Sequence, residues 1–271
     1  MVFSDLDGTL LDAEGYDFGP AAPALEALAR RGIPIVLVSS KTRREIEYWR
    51  RRLSNGHPFV VENGGAIYVP EGYFPFALER AVRRDGYEVL ELGRPHAELV
   101  RALDEAARET RTPVLAFHRM TIGEIRRRTR LPPALARLAR QREYDEPFQL
   151  PARAPADPLL RALERRGLRW TRGGGFYHVT GHGGKAPAVE ILVSAYRRAC
   201  GRIRTIGLGD AWNDLEYLRL MDIPIVVAGP AAHSMRSALP RARLTEPPGP
   251  AGWSRGVLEA LASHGPSEVV P

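Results

Sequence analysis

The chain has 271 residues, 44% apolar and 26% charged, with a formal net charge of +7. That balance excludes a disordered or fibrous chain, and no apolar run approaches the roughly 18 residues of a membrane helix. Cys200 is the single cysteine, which excludes an intramolecular disulfide and argues against a cysteine zinc site.

Met1 to Ser4 is a short apolar strand that ends at Asp5. No basic and apolar leader precedes it, so no signal peptide is expected and the chain reads as cytoplasmic. Pro20 to Arg31 carries apolar residues at helical spacing (Leu25, Leu28, Ala29) and stops at Gly32. Ile33 to Val38 is continuously apolar, the texture of a buried parallel strand, and polar Ser39-Ser40-Lys41-Thr42 follows. Thr42 to Leu53 reads as a helix, and Pro58 to Val61 as a strand closed by Glu62-Asn63-Gly64-Gly65. This alternation predicts a parallel sheet with right-handed crossovers.

From about Phe76 to Gly175 short strands (87–90, 114–117, 168–171) alternate with helices and proline-rich joints. One helix there opens with Thr121 and Glu124 as a capping box and carries the arginines from 126 to 130. A second α/β unit inserted into the first is the expectation. The first rhythm then resumes: helix Ala186 to Cys200, strand Ile203 to Leu208, short helix Asp214 to Arg219, strand Ile223 to Ala228 and helix Trp253 to Ala262, with a loose tail from Gly265.

The positive charge suggests an anionic partner, either a phosphorylated metabolite or nucleic acid. Of 39 basic residues all but Lys41 and Lys185 are arginine. Arginine on solvated helix faces accounts for the basicity, and no nucleic-acid-binding module is present. A chain that uses arginine almost everywhere keeps lysine where a compact ammonium fits and a planar guanidinium does not, which makes the two lysines site candidates.

Asp5-Leu6-Asp7-Gly8-Thr9 follows the first strand, and ligands of open parallel sheets bind beyond the carboxyl ends of strands. Two carboxylates two residues apart can face one crevice, one attacking and one handling a proton; alone, such a pair is equally a turn or cap. Gly209-Asp210, later followed by Asp214, ends the apolar strand from Ile203 and adds a carboxylate to that crevice. Oxygen-only ligands point to magnesium; Asp214 is either an inward anchor or a charge at a helix N-terminus. Lys185 opens a helix after Gly181-His182-Gly183-Gly184. A Walker loop fails there, because its first glycine would fall at Val179 and Ala186 replaces the hydroxyl residue. An ammonium in that position suits a phosphoryl oxygen, as does the hydroxyl of Ser39 or of Ser40.

Asp-x-Asp-Gly-Thr, a serine after the second strand, the lysine and Gly-Asp-x-x-Asn-Asp together resemble the haloacid dehalogenase-like phosphotransferases. The resemblance implies a Rossmann-like α/β core of residues 1–79 and 176–271 with an inserted α/β cap of the C2B type at 80–175. Asp5 would be the nucleophile and Asp7 the acid and base. Ser39 and Lys185 would hold the transferring phosphoryl group, and Mg2+ would sit on Asp5, Asp7, Asp210 and Asp214.

Ser39-Ser40-Lys41-Thr42-Arg43, Glu62-Asn63-Gly64-Gly65-Ala66-Ile67, the stretch from Arg142 to Phe148 and Gly174-Gly175-Phe176-Tyr177-His178 are similar to the mannosyl-3-phosphoglycerate phosphatase family. That likeness implies release of phosphate from mannosyl-3-phosphoglycerate, giving mannosylglycerate, a compatible solute, with no nucleic-acid or membrane partner. Gly8, Lys41, Asn63, Gly64, Arg142, Tyr144 and His178 become the candidates for substrate contact. Other readings of these residues are a packing histidine at 178 and an Arg142–Glu143 pair on a helix. Trp212 is expected to pack in the core or at a sheet edge. A sugar phosphomutase of the phosphomannomutase kind, or another sugar-phosphate phosphatase, on the same scaffold is the alternative function.

Overall fold

The computed structural model describes residues 1–152, 154–181 and 183–263, and they form two compact units. The expected loose tail lies outside the described residues. One unit comprises Met1–Val38 and Tyr196–Pro271, the other Ser39–Ala195.

The first unit starts with strand β1 (Val2–Ser4), helix α1 (Ala22–Arg30) and strand β2 (Ile35–Val38). β2 starts two residues later than its apolar run, because Pro34 has no N–H to enter a ladder and offers only its carbonyl, to Val2 at 2.9 Å.

The second unit opens with α2 (Arg43–Arg52), the hairpin β3 (Phe59–Val61) and β4 (Ala66–Pro70), then β5 (Val82–Arg84) and β6 (Tyr87–Glu91). These four strands pair antiparallel in the order β3-β4-β6-β5. β5 is an exposed, arginine-rich edge with no alternating apolar pattern, so it is invisible in the sequence. Next come α3 (His96–Glu109), β7 (Leu115–Ala116), α4 (Ile122–Thr129), α5 (Pro133–Ala139), β8 (Asp145–Gln149), α6 (Asp157–Arg165), β9 (Arg169–Gly173) and β10 (Phe176–Thr180). They build an antiparallel sheet of order β7-β8-β10-β9 whose apolar side joins Leu99, Leu103, Phe148, Leu159, Leu163 and Val179 into one core.

β7 is half its expected length because Phe117–Arg119 turns into a 3₁₀ helix, where Glu146 accepts the His118 N–H at 2.9 Å. β8 carries Asp145, Glu146 and Pro147, all poor strand formers. Pro147 stands opposite His178 of β10 and lies beyond β7, which pairs only with Phe148 and Gln149.

Helix α7 (Lys185–Cys200) leads back to the first unit and β11 (Ile206–Gly209), α8 (Leu215–Leu218), β12 (Ile223–Ala228), α9 (Ala232–Ala238), β13 (Arg243–Pro248) and α10 (Gly249–Ala262). β11 begins at Ile206, whose N–H donates to the carbonyl of Met1 at 3.0 Å. Within this unit the strands run parallel in the order β13-β12-β11-β1-β2. The order reverses between β1 and β11, and such a switch point opens a crevice at the carboxyl ends of those two strands. Trp253 of α10 is fully buried and donates its indole N–H to Ser4 Oγ at 2.9 Å.

Candidate active site

The first unit's acidic cluster forms at that switch point. After β1 the chain turns through Leu6, Leu10 and Leu11, all fully buried. Each such side chain contributes about 1.5–3 kcal/mol of burial, so the loop is anchored although it carries acidic residues. Gly8 has φ +76°, and a Cβ there would stand 2.6 Å from Asp210 Oδ2. Glycine is therefore required twice over, by backbone conformation and by the approach of a carboxylate. Thr9 donates its hydroxyl to Asp210 Oδ1 at 2.7 Å.

Asp210 follows β11. Asp214 is fully buried and its Oδ2 accepts the N–H groups of Asp210 and Ala211 at 3.1 Å each. Asp214 thus holds the turn that aims Asp210, and it is also near enough to offer a ligand: one carboxylate oxygen from each of Asp5, Asp210 and Asp214 lies within 4.8 Å of the others. Three carboxylates so close repel one another unless a cation compensates them. The donor set is all oxygen, which suits a hard divalent ion. Tyr217 donates its hydroxyl to the Leu208 carbonyl. Burial first, then the charges of Asp214 and Asp5, push its phenol well above the ordinary range, so it remains a neutral donor. Asp7 is half-buried two residues beyond Asp5 and bridges to Leu11. Trp212 corrects its expectation: it is 50% exposed, since the 3₁₀ turn Trp212–Asp214 spends its inward face on Asp214.

The second unit supplies the remaining candidates. Ser39 is buried; its hydroxyl accepts the Lys41 N–H at 3.3 Å and its carbonyl the Asn63 N–H at 3.0 Å. Ser40 is less buried, and its carbonyl accepts Arg142 Nη1 at 2.7 Å. The Lys41 ammonium is buried 3.6 Å from Glu45.

Glu62, Asn63 and Gly64 have φ of 48°, 59° and 102°, three successive left-handed residues. Non-glycine residues held there cost on the order of 1–3 kcal/mol each and persist when their surroundings over-determine them. The surroundings do so. The Glu62 carboxylate accepts the N–H of Glu143 at 2.9 Å and of Tyr144 at 2.8 Å. A Cβ on Gly64 would fall 2.1 Å from the Gly184 carbonyl and 3.2 Å from Lys185 Cα, and one on Gly65 would fall 2.4 Å from Tyr144 Cβ. The turn is wedged between the start of α7 and the start of β8, so Gly64 serves by setting where Lys185 stands. Lys185 itself is buried.

Asn63 donates Nδ2 to Asp145 Oδ2 at 2.9 Å, and His178 Nδ1 lies 2.9 Å from the same oxygen. Asp145 is fully buried, which by itself would raise its pKa; the charge of His178, its hydrogen bond and the charge of Arg142 prevail and hold it below the ordinary carboxylate range. For Arg142 desolvation is likewise outweighed, by Asp145 and then Glu62, and its pKa is raised. Glu62 goes the other way: burial, aided by Asp145 and opposed by Arg142, pushes its carboxyl up to about 8.

Asn63 and His178 therefore both bind one carboxylate, and the charge of Arg142, bonded to the Ser40 carbonyl, acts on it without a direct bond. Tyr144 is placed elsewhere, its hydroxyl donating to Glu91 at 2.6 Å and accepting from Arg84 at 3.0 Å. Arg142 does not pair with Glu143, which instead meets Arg43 and Arg84 at 3.3 Å. Glu146, next along β8, binds His96 at 2.5 Å and His118 at 2.9 Å, tying α3 and the 3₁₀ turn to the strand.

Three supporting residues escaped selection from sequence: Thr9, Glu62 and Asp145. Each stands inside a motif already singled out, and that was the available signal.

Residues 2–78 match the family model of haloacid dehalogenase-like hydrolases. The chain is 37% identical over 263 residues to a glucosyl-3-phosphoglycerate/mannosyl-3-phosphoglycerate phosphatase of Persephonella marina, covering 96% of this chain and 97% of that one. It is 39% identical over 227 residues to a mannosyl-3-phosphoglycerate phosphatase of Pyrococcus furiosus, covering 84% and 90%. The fold is similar to that of the sucrose-phosphatase of Synechocystis, with a TM-score of 0.62 at 16% identity, covering 97% of this chain and 96% of that one.

Proposed function

This chain belongs to the glucosyl-3-phosphoglycerate/mannosyl-3-phosphoglycerate phosphatase family of the haloacid dehalogenase-like hydrolases, and on that premise we propose that it hydrolyses mannosyl-3-phosphoglycerate, and the glucosyl analogue, to the glycosylglycerate and phosphate. The observation that carries the reaction class is the convergence of Asp5, Asp210 and Asp214 at the ends of neighbouring parallel strands.

Asp5, the first residue past β1, attacks phosphorus through a carboxylate oxygen. The bond from phosphorus to the glycerate oxygen breaks, and Asp7 gives that oxygen its proton. Asp7, now a carboxylate, takes a proton from water as the water attacks the aspartyl phosphate; the bond to Asp5 breaks and phosphate leaves. Ser39 and Lys185 bind the transferring phosphoryl oxygens, whose charge must be neutralised. Asp5, Asp210, the Asp7 carbonyl and Asp214 would hold magnesium, which supplies positive charge to the phosphoryl group. Thr9 and Asp214 keep Asp210 in place by the bonds described above. The segment 80–175 acts as the cap that selects the leaving group, and the glycosylglycerate product is of the compatible-solute type.

The test is phosphate release from a panel of glycosyl phosphoglycerates and sugar phosphates with magnesium. The glycosyl phosphoglycerates should give the highest kcat/KM without a bisphosphate activator, and Asp5→Asn should lower turnover about 10³-fold or more. Isomerised sugar phosphate appearing only with activator would make the protein a mutase instead.

A further inference from the structure

We infer that Asn63, Arg142 and His178 form a subsite for the leaving group's carboxylate and that Asp145 is its positioning residue. The inference rests on the proposed activity and assigns the part of the substrate that the phosphoryl-transfer machinery does not touch.

Asp145 is fully buried on β8, and an ionised carboxylate persists in such a place only when paired and hydrogen-bonded. Its two side-chain partners come from far along the chain, Asn63 from the turn after β3 and His178 from β10. Accepting from Nδ1 fixes the imidazole with that nitrogen protonated, which leaves Nε2 to act on a ligand. Nε2 makes no hydrogen bond to any described residue, and His178 retains 7% exposure.

Arg142 is held in place by the Ser40 carbonyl and sits 5.6 Å over the ring of Phe117, while its Nε has no partner among the described residues. The cluster therefore presents a guanidinium and an imidazole, backed by the Asp145 carboxylate, with Glu62 also acting on Arg142. That is at most one unit of excess positive charge, suited to a planar monoanion rather than to a phosphate dianion. The glycerate carboxylate is such a group.

The experiment measures kcat and KM of wild type, Asp145→Asn, His178→Gln and the double variant. The substrates are mannosyl-3-phosphoglycerate and p-nitrophenyl phosphate, which lacks a carboxylate. Asp145→Asn should raise KM for the glycosyl phosphoglycerate about 10–100-fold with a smaller change in kcat, so that the ratio of the two kcat/KM values falls at least about tenfold. The double variant should lose less than the two single losses combined, since part of what Asp145 does passes through the histidine and part through Asn63.

Equal losses on both substrates, or additive losses in the double variant, overturn the subsite. A second measurement covers an Asp145→Asn protein that does not fold. In wild-type enzyme labelled with 15N-histidine, adding mannosylglycerate should shift the His178 Nε2 resonance and inorganic phosphate should not; an unmoved Nε2 overturns the subsite. Wild type that releases no phosphate from any glycosyl phosphoglycerate overturns the substrate reading together with the subsite. Wild type that does, beside an Asp145→Asn variant with an unchanged substrate ratio, overturns the subsite alone.

Discussion

Gly64 and Gly72 both have positive φ, but only Gly64 has a neighbour that a Cβ would strike, the Gly184 carbonyl at 2.1 Å. Gly64→Ala should move the start of α7 and with it Lys185. A misplacement of about 1 Å in a phosphoryl-binding group costs on the order of 10²-fold in kcat/KM. Gly72→Ala, with nothing within 4 Å, should lose about 1 kcal/mol of stability and keep its turnover. Equal activity in the two variants would show that the turn does not set the lysine.

Glu62 gives a second prediction. Its carboxyl titrates near 8 in the fold against an ordinary value of 4.5. The folded chain keeps a proton that the unfolded chain releases, so this contribution is full below about pH 4.5 and is lost as pH rises to about 8. The Tm of wild type should fall across that window relative to Glu62→Gln, and parallel Tm curves would deny the titration.

At the scale of elements, two helices of the second unit start with the same device in different settings. Thr42 caps α2 with Glu45 as the reciprocal partner, and its hydroxyl also lies 3.0 Å from the Leu138 carbonyl. Thr121 caps α4 with Glu124 at an exposed end. Thr121→Ala should cost about 1 kcal/mol in urea unfolding, the ordinary value of an N-cap. Thr42→Ala should cost about 2 kcal/mol, because the part-buried Leu138 carbonyl loses one of its donors as well. Both boxes are legible in sequence because partners three residues apart need no tertiary information. β5 and β8 are not legible, since an exposed edge and a strand bearing two acids and a proline lack the alternation that marks strands.

For the whole molecule, the consequence is that residues 80–175 cannot be removed cleanly. The excision takes β6 from β4 and takes from Glu62 the backbone donors at 143 and 144. It leaves one edge of the apolar strand β4 unpaired and the buried Glu62 carboxyl without those donors. The excised chain should lose cooperative unfolding and its near-UV circular dichroism; a sharp transition would contradict this.

The positions of Asp5 and Asp210 past apolar strands and the α/β rhythm were readable because a polar residue placed at the end of an apolar strand is a local pattern, whereas Lys185 stood out by the scarcity of lysine and its place at a helix start. The strand order that makes β1 and β11 neighbours, the wedge around Gly64 and the partnership of Asn63 with Asp145 across 82 residues were decided only by the tertiary structure. The reason is physical: residue type and spacing record what each segment can do by itself. Which buried carboxylate is compensated by which distant donor depends on packing, where the cost of leaving it alone selects the partner.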